Sequence, residues 1–216
     1  MPSWRQAFLS SSATRVLLTW LIRDSSCWQP TACIIFHVSS AWVGYLALFV
    51  AFVASLLFLA RRESRWDGIA LSSVEIGLVF ITEAIVTGSI WAKSAWGIWW
   101  TWDARLTSTL VLWLVYIAYL MVRSFTVEED RGARFAAVVG IAGFFSVPLS
   151  ALAITLWRTQ HPTPVIFEGG LEDWRMLFTL IFCVVTFTAL FIQLLMQRVS
   201  LRQIETETEK IKYNLR

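Results

Sequence analysis

Ile34–Ala60 contains no charged side chain, and that one fact narrows what the chain can fold into. Crossing the hydrocarbon core of a bilayer takes about 20 apolar residues in a helix. Leu106–Val122 and Met176–Met196 are uncharged as well, and Ile69–Ile90 carries only Glu75 and Glu83. Phe135–Trp157 is a fifth uncharged run, with Pro148 inside it as an expected kink. Proline is tolerated in membrane helices where neighbours satisfy the freed carbonyl. Of 216 residues, 57% are hydrophobic and 15% charged, whereas a soluble domain is roughly half apolar and a quarter charged. The chain therefore reads as one all-α integral membrane protein.

The N-terminal region, residues 1–33, is harder to read. Val16–Ile22 is apolar, but Arg15, Arg23 and Asp24 bound it closely. The expectation is a bundle of six transmembrane helices whose first, roughly Ala13–Cys33, is degenerate, or five helices with an interfacial segment before them. No cleavable signal is evident, because the basic start leads into a short, interrupted apolar run. Residues 34–196 form the membrane domain and 197–216 a cytoplasmic tail. Leu201, Ile204, Ile211 and Leu215 lie at near-heptad spacing in that tail. A solvated, fraying tail is favoured there over a helix that meets a partner.

Orientation follows from lysine and arginine in the short loops. Arg61, Arg62, Arg65, Arg123, Arg131, Arg134, Arg198 and Arg202 fall on one side, against Lys93, Arg105, Arg158 and Arg175 on the other. The first side is cytoplasmic. The net charge of +3 is thus topology information and not a nucleic-acid surface. Both histidines of the chain, His37 and His161, map to the outer face.

Five of the thirteen tryptophans lie between Trp91 and Trp102, also on that face. Were the stretch helical, Trp96, Trp99, Trp100 and Asp103 would share one side at i, i+3, i+4 and i+7. Tryptophans form belts at membrane interfaces, and Trp4, Trp20, Trp28, Trp42, Trp66, Trp113, Trp157 and Trp174 fit that use or the core. The 91–102 cluster is too dense and one-sided for a belt. It suits a large, flat, greasy ligand, which Gly97 would let approach the backbone.

A histidine pair beside such a plate fits haem iron, for which imidazole is an axial ligand. A structural role for the two histidines stays equally open on chemistry alone. Zinc asks for more ligands than the chain supplies. Lys93, Arg105, Arg158 and Arg175 suit haem propionates, although snorkelling explains any one of them. Of Cys27, Cys33 and Cys183, the last lies in an apolar run, and the first two either pair or stay reduced; no C-x-x-C-H exists to hold a covalent haem. Glu75 and Glu83 lie on roughly one face within the membrane, where charge is costly. They are the one feature pointing to an ion or proton transport subunit.

The run Thr87–Ser108, centred on Trp96-Gly97-Ile98-Trp99-Trp100-Thr101-Trp102-Asp103, resembles the WWD signature of the haem-handling proteins of cytochrome c biogenesis. It is most similar to the CcmC family, the haem-transfer component of the cytochrome c maturation system. Phe36-His37-Val38 with Trp42 at a helix head, Pro148 late in its helix and His161 in the next outer loop extend the resemblance over roughly residues 34–196. It implies six helices with an extracytoplasmic Trp-rich loop at 91–108. It implies His37 and His161 as axial ligands of haem iron, and Trp96, Gly97, Trp99, Trp100, Trp102 and Asp103 as the platform holding haem b in transit. The family is not enzymatic. The resemblance implies that haem is handed to the haem chaperone CcmE. It also implies association with the ABC transporter formed by CcmA and CcmB and with the small membrane protein CcmD. No nucleotide motif occurs here, as expected if ATP is hydrolysed elsewhere. The implied location is a bacterial inner membrane with the site facing the periplasm, and the mitochondrial inner membrane obeys the same logic. A synthetase-type WWD protein that joins haem to apocytochrome is the alternative within the superfamily, although those proteins have more helices and histidines. The short first helix, Glu75 and Glu83, and the short loop after His161 depart from the family pattern.

Overall fold

The computed structural model describes residues 30–125, 129–157, 159, 161 and 174–214. Their regular elements are helices: α1 (Pro30–Arg61), α2 (Ser64–Trp96), α3 (Ala104–Phe125), α4 (Glu129–Phe144), α5 (Ser146–Leu156) and α6 (Trp174–Asn214). Five spans among the described residues are long and apolar enough to cross a membrane: Cys33–Arg61, Ser64–Trp96, Ala104–Phe125, Arg131–Leu156 and Trp174–Glu209. Four of them contain an apolar run read from the sequence, and Arg131–Leu156 covers all of the run Phe135–Trp157 but its last residue. The chain is a multi-pass membrane protein. The expected degenerate helix near Ala13–Cys33 falls almost wholly outside the described residues, as do Cys27 and Arg158.

The centre of the bundle is the α1–α2 hairpin. Its connection is only Arg62 and Glu63, and Arg62 takes a left-handed φ of 60° while its N–H bonds to the Phe58 carbonyl at 2.8 Å. The two helices meet through small side chains: Ser39, Ser40, Ala47, Ala51, Ala54 and Ser55 on α1, and Ala70, Ser72, Ser73 and Ala84 on α2, are all buried. Lipid is as apolar as leucine, so membrane helices gain by close backbone approach, which small residues permit. Leu112, Tyr116 and Tyr119 of α3 pack with Leu48, Ala51, Val74 and Ile81 of the hairpin. Val79, Val86, Phe178 and Val185 remain exposed, as lipid-facing side chains would.

The kink expected at Pro148 lies just before it, at Phe145. Proline has no N–H for the carbonyl four residues back, and its ring crowds that carbonyl, here Phe144. The chain turns at that point: the Phe145 N–H bonds to the Ala142 carbonyl at 3.3 Å and the Ser146 hydroxyl to that of Gly143 at 2.5 Å. α4 and α5 are thus two halves of one span.

The favoured reading of the tail needs correction. It does not fray after residue 200, because α6 continues as helix to Asn214. Its root is held by Glu75 of α2, which takes Arg198 at 2.9 Å and Arg202 at 2.5 Å. Half of residues 203–214, the Gln, Glu and Lys side chains, are good helix formers. At the same end of the bundle Arg123 of α3 forms a two-pronged ion pair with Asp67 of α2. The basic loop ends therefore gather at one end of the bundle, as the charge count requires.

Candidate functional site

His37 lies near the N-terminal end of α1 and faces α2. Its Nδ1 is 2.7 Å from the carbonyl oxygen of Ala84. A carbonyl only accepts, so Nδ1 carries the hydrogen and Nε2 keeps its lone pair. Metal-ligating histidines are oriented by this kind of hydrogen bond. His161, which follows α5, brings its ring to 6.2 Å from that of His37, centroid to centroid, at 41° between planes. Two metal–nitrogen bonds of about 2 Å, each extended by about 1 Å from nitrogen to ring centre, require about 6 Å. The structure thus brings the two histidines together at a spacing that one metal ion between them would need. Among the described residues no group of three or more His, Cys, Asp or Glu forms a conventional metal cluster.

The two rings line a cavity of about 60 Å³ together with Gly88, Trp100, Arg105, Tyr45 and Thr109. Pockets that enclose a ligand of drug size run to roughly 300–1,000 Å³. A porphyrin ligated here would therefore project beyond the cavity walls.

The tryptophan run is not the helical plate that its spacing allowed. α2 stops at Trp96 because Gly97 adopts φ 76°, with its N–H on the Lys93 carbonyl. The left-handed region suits glycine and closes helices. Residues 98–103 are loop, so Trp96, Trp99, Trp100 and Asp103 do not share a helix face. The indoles instead pair edge to face: Trp91 with Trp96 at 5.1 Å, and Trp100 with Trp102 at 6.0 Å. Trp99 and Trp102 are 53% and 77% exposed.

Within the expected platform, Trp100 lines the histidine cavity; Trp96, Gly97, Trp99, Trp102 and Asp103 are not among the lining residues. Among the described residues the buried Trp100 Nε1–H has no hydrogen-bond partner. Such a donor needs an explanation, and a ligand acceptor in this cavity is a chemically suitable one. Asp103 has a different job. Its Oδ1 accepts the Leu106 N–H at 2.9 Å and its Oδ2 the Thr101 hydroxyl at 3.0 Å. It caps the N-terminus of α3.

The cations expected on the outer face divide. Arg105 lines the cavity, and its Nη1 makes only long bonds, 3.4 and 3.3 Å, to the Ser150 and Ala151 carbonyls. Lys93 donates to the Gly97 carbonyl at 2.8 Å, and Arg175 lies over the Trp174 ring. Beneath Arg105 the Ser150 hydroxyl hydrogen-bonds with Tyr45 at 3.1 Å and Thr109 at 2.8 Å. Tyr45, Ala84 and Ser150 carry no motif that the sequence displays, and Gly88 lies within the Thr87–Ser108 run without a role of its own in that reading. Glu75 and Glu83 are not among the cavity residues; Glu75 belongs to the α6 arginines.

A family model described as Heme exporter protein C matches residues 6–214. The chain belongs to the CcmC family. It is 36% identical over 160 residues to Heme exporter protein C of Bradyrhizobium diazoefficiens, covering 73% of this chain and 61% of that protein. It is 31% identical over 134 residues to a ccmC-like mitochondrial protein of cytochrome c biosynthesis from Marchantia polymorpha, covering 62% and 56%. Similarity also reaches the cytochrome c biogenesis protein CcsA of Prochlorococcus marinus, 34% over 90 residues, which is 42% of this chain and 28% of that one. The chain spans about three-fifths of the length of the two CcmC relatives.

Proposed function

We propose that this CcmC-family chain binds haem on the extracytoplasmic face of its membrane and hands it to the haem chaperone CcmE during cytochrome c biogenesis. The observation that carries this is the facing pair His37 and His161, with the His37 tautomer fixed by Ala84 so that Nε2 is the available ligand. In this reading the two imidazoles take the iron axially and haem b is cargo. Trp100 lies against the macrocycle and offers its N–H. Arg105 pairs with a propionate through a charge-assisted hydrogen bond. Trp96, Gly97, Trp99 and Trp102 form the exposed rim from which the chaperone collects its cargo, and Asp103 holds that rim in register with α3.

No bond within haem is made or broken by this chain, so the role is transfer and not catalysis. The ABC transporter proteins CcmA and CcmB and the small membrane protein CcmD are its partners, in a bacterial inner membrane with the site facing the periplasm. The mitochondrial relative extends the same reading to the mitochondrial inner membrane. An ion path through Glu75 and Glu83 gains no support from a Glu75 held by two arginines. The synthetase alternative is favoured by no feature of the site.

The test is an absorption spectrum of the purified protein, ferric and reduced. The expected result is a low-spin bis-histidine signature that is lost in both His37→Ala and His161→Ala. Unchanged spectra in both variants would show the ligand assignment to be wrong. Glu75→Gln with Glu83→Gln is expected to leave haem delivery intact; lost ion flux in that double variant would favour the transport reading.

A further inference from the structure

We infer that Gly88 is a positioning residue for His37: it is the notch in α2 that seats the imidazole so that Nδ1–H meets the Ala84 carbonyl and Nε2 is left for iron. The inference rests on the haem-ligand reading above. Residues 84 and 88 are one turn apart on the same face of α2. A Cβ placed at Gly88 would stand 2.8 Å from His37 Cε1 and 2.9 Å from Nδ1, but 3.7 Å from Nε2. Non-bonded carbons prefer about 3.5–4.0 Å. The edge of the ring bearing Nδ1 and Cε1 is therefore pressed against the glycine, and Nε2 is the corner farther from it.

A methyl group at 88 must displace something by a substantial part of an ångström. The helices cannot yield cheaply. Ser39, Ser40, Val43 and Ala47 of α1 are fully buried. The imidazole is the element free to turn. Turning it stretches the 2.7 Å bond to Ala84 or re-aims Nε2, and metal–ligand distances tolerate only about ±0.2 Å.

Gly77 supplies the control. A Cβ there would meet Ala47 Cβ at 3.0 Å and Leu48 at 3.3 Å, so Gly77→Ala stresses the same α1–α2 seam about 16 Å along α2 from position 88. The experiment compares haem-loaded wild type, Gly88→Ala and Gly77→Ala by optical and electron paramagnetic spectra, haemin titration and addition of free imidazole. For Gly88→Ala the expected result is a five-coordinate high-spin signature, haem affinity 10–100-fold lower as for lost outer-shell partners, and recovery of the low-spin signature with free imidazole. Gly77→Ala should keep the wild-type spectrum.

If Gly88→Ala does not accumulate, His37→Gly in that background removes the ring the methyl group strikes and should restore accumulation; failure to do so overturns the inference. So does a wild-type spectrum and affinity in Gly88→Ala, or the same spectral change in Gly77→Ala. A wild-type protein lacking the bis-histidine signature would instead overturn the haem-ligand reading, and this one with it.

Discussion

Asp103 offers the sharpest way to separate two roles for the carboxylate that ends the tryptophan run. Its two oxygens accept the Leu106 N–H and the Thr101 hydroxyl. Losing an N-cap costs about 1 kcal/mol, and losing a second hydrogen bond about 1 kcal/mol more. Asp103→Ala should therefore weaken the junction between the loop and α3 by about 2 kcal/mol, which is about 30-fold in the ratio of formed to frayed junction. Asparagine caps helices as well as aspartate and keeps an oxygen at the same place. Asp103→Asn should stay within a few tenths of a kcal/mol of wild type. Hydrogen exchange across residues 98–108 reads the junction directly, and haem occupancy reads the site that Trp100 lines. The expected pattern is about 30-fold faster exchange at the start of α3 in Asp103→Ala, reduced haem occupancy in that variant, and neither effect in Asp103→Asn. Equal damage by both substitutions would refute capping as the function of Asp103 and assign its charge to haem or to a partner.

Trp100→Phe removes a buried N–H that has no partner among the described residues. Thermal melting of the haem-free protein should not fall through lost hydrogen bonding, whereas haem affinity should drop roughly 3–10-fold, the worth of one neutral hydrogen bond; haemin titration checks it. The Asp67–Arg123 pair is largely buried, with side chains 12% and 16% exposed, so Asp67→Asn strands a buried guanidinium. A loss of about 3–5 kcal/mol is expected, with most of it recovered in the Asp67→Leu, Arg123→Leu double variant when unfolding is followed in denaturant. Glu75 is about a third exposed, so Glu75→Gln should cost only about 1 kcal/mol after screening. Exchange in α6 beyond Arg198 should quicken while the haem spectrum stays as in wild type.

The five spans were legible because membrane insertion imposes a length and a composition that the sequence displays openly. So was the common face of His37 and His161, since positive residues in loops report topology. What was not legible depends on atoms that sequence patterns do not encode. The partner of His37 is a backbone carbonyl, which any residue at position 84 would provide. Gly88 stands inside the motif run without a visible reason, because its role is the space it leaves for a side chain on another helix. Gly97 reads as room for a ligand, yet its positive φ ends α2 and removes the helical alignment of the tryptophans. The Glu75 puzzle is unsolvable locally, because its arginines are more than a hundred residues away on α6. The end of α6 is misjudged because an apolar stripe without neighbours reads as marginal, whereas charged helix formers rooted by an ion pair extend the helix.

The length of α6 has a mechanical meaning. Its 41 residues extend about 60 Å, twice the roughly 30 Å of a hydrocarbon core. A loose strand of about a dozen residues after Arg202 would wander over about 20 Å in every direction. The same residues in a helix reach about 20 Å along one bearing, from a footing on α2 that the two arginines keep from swivelling. The C-terminal end of α6 thus works as a mast and not as a leash. Whatever grips it does so at one height and one azimuth, and can pull on the helix that seats His37.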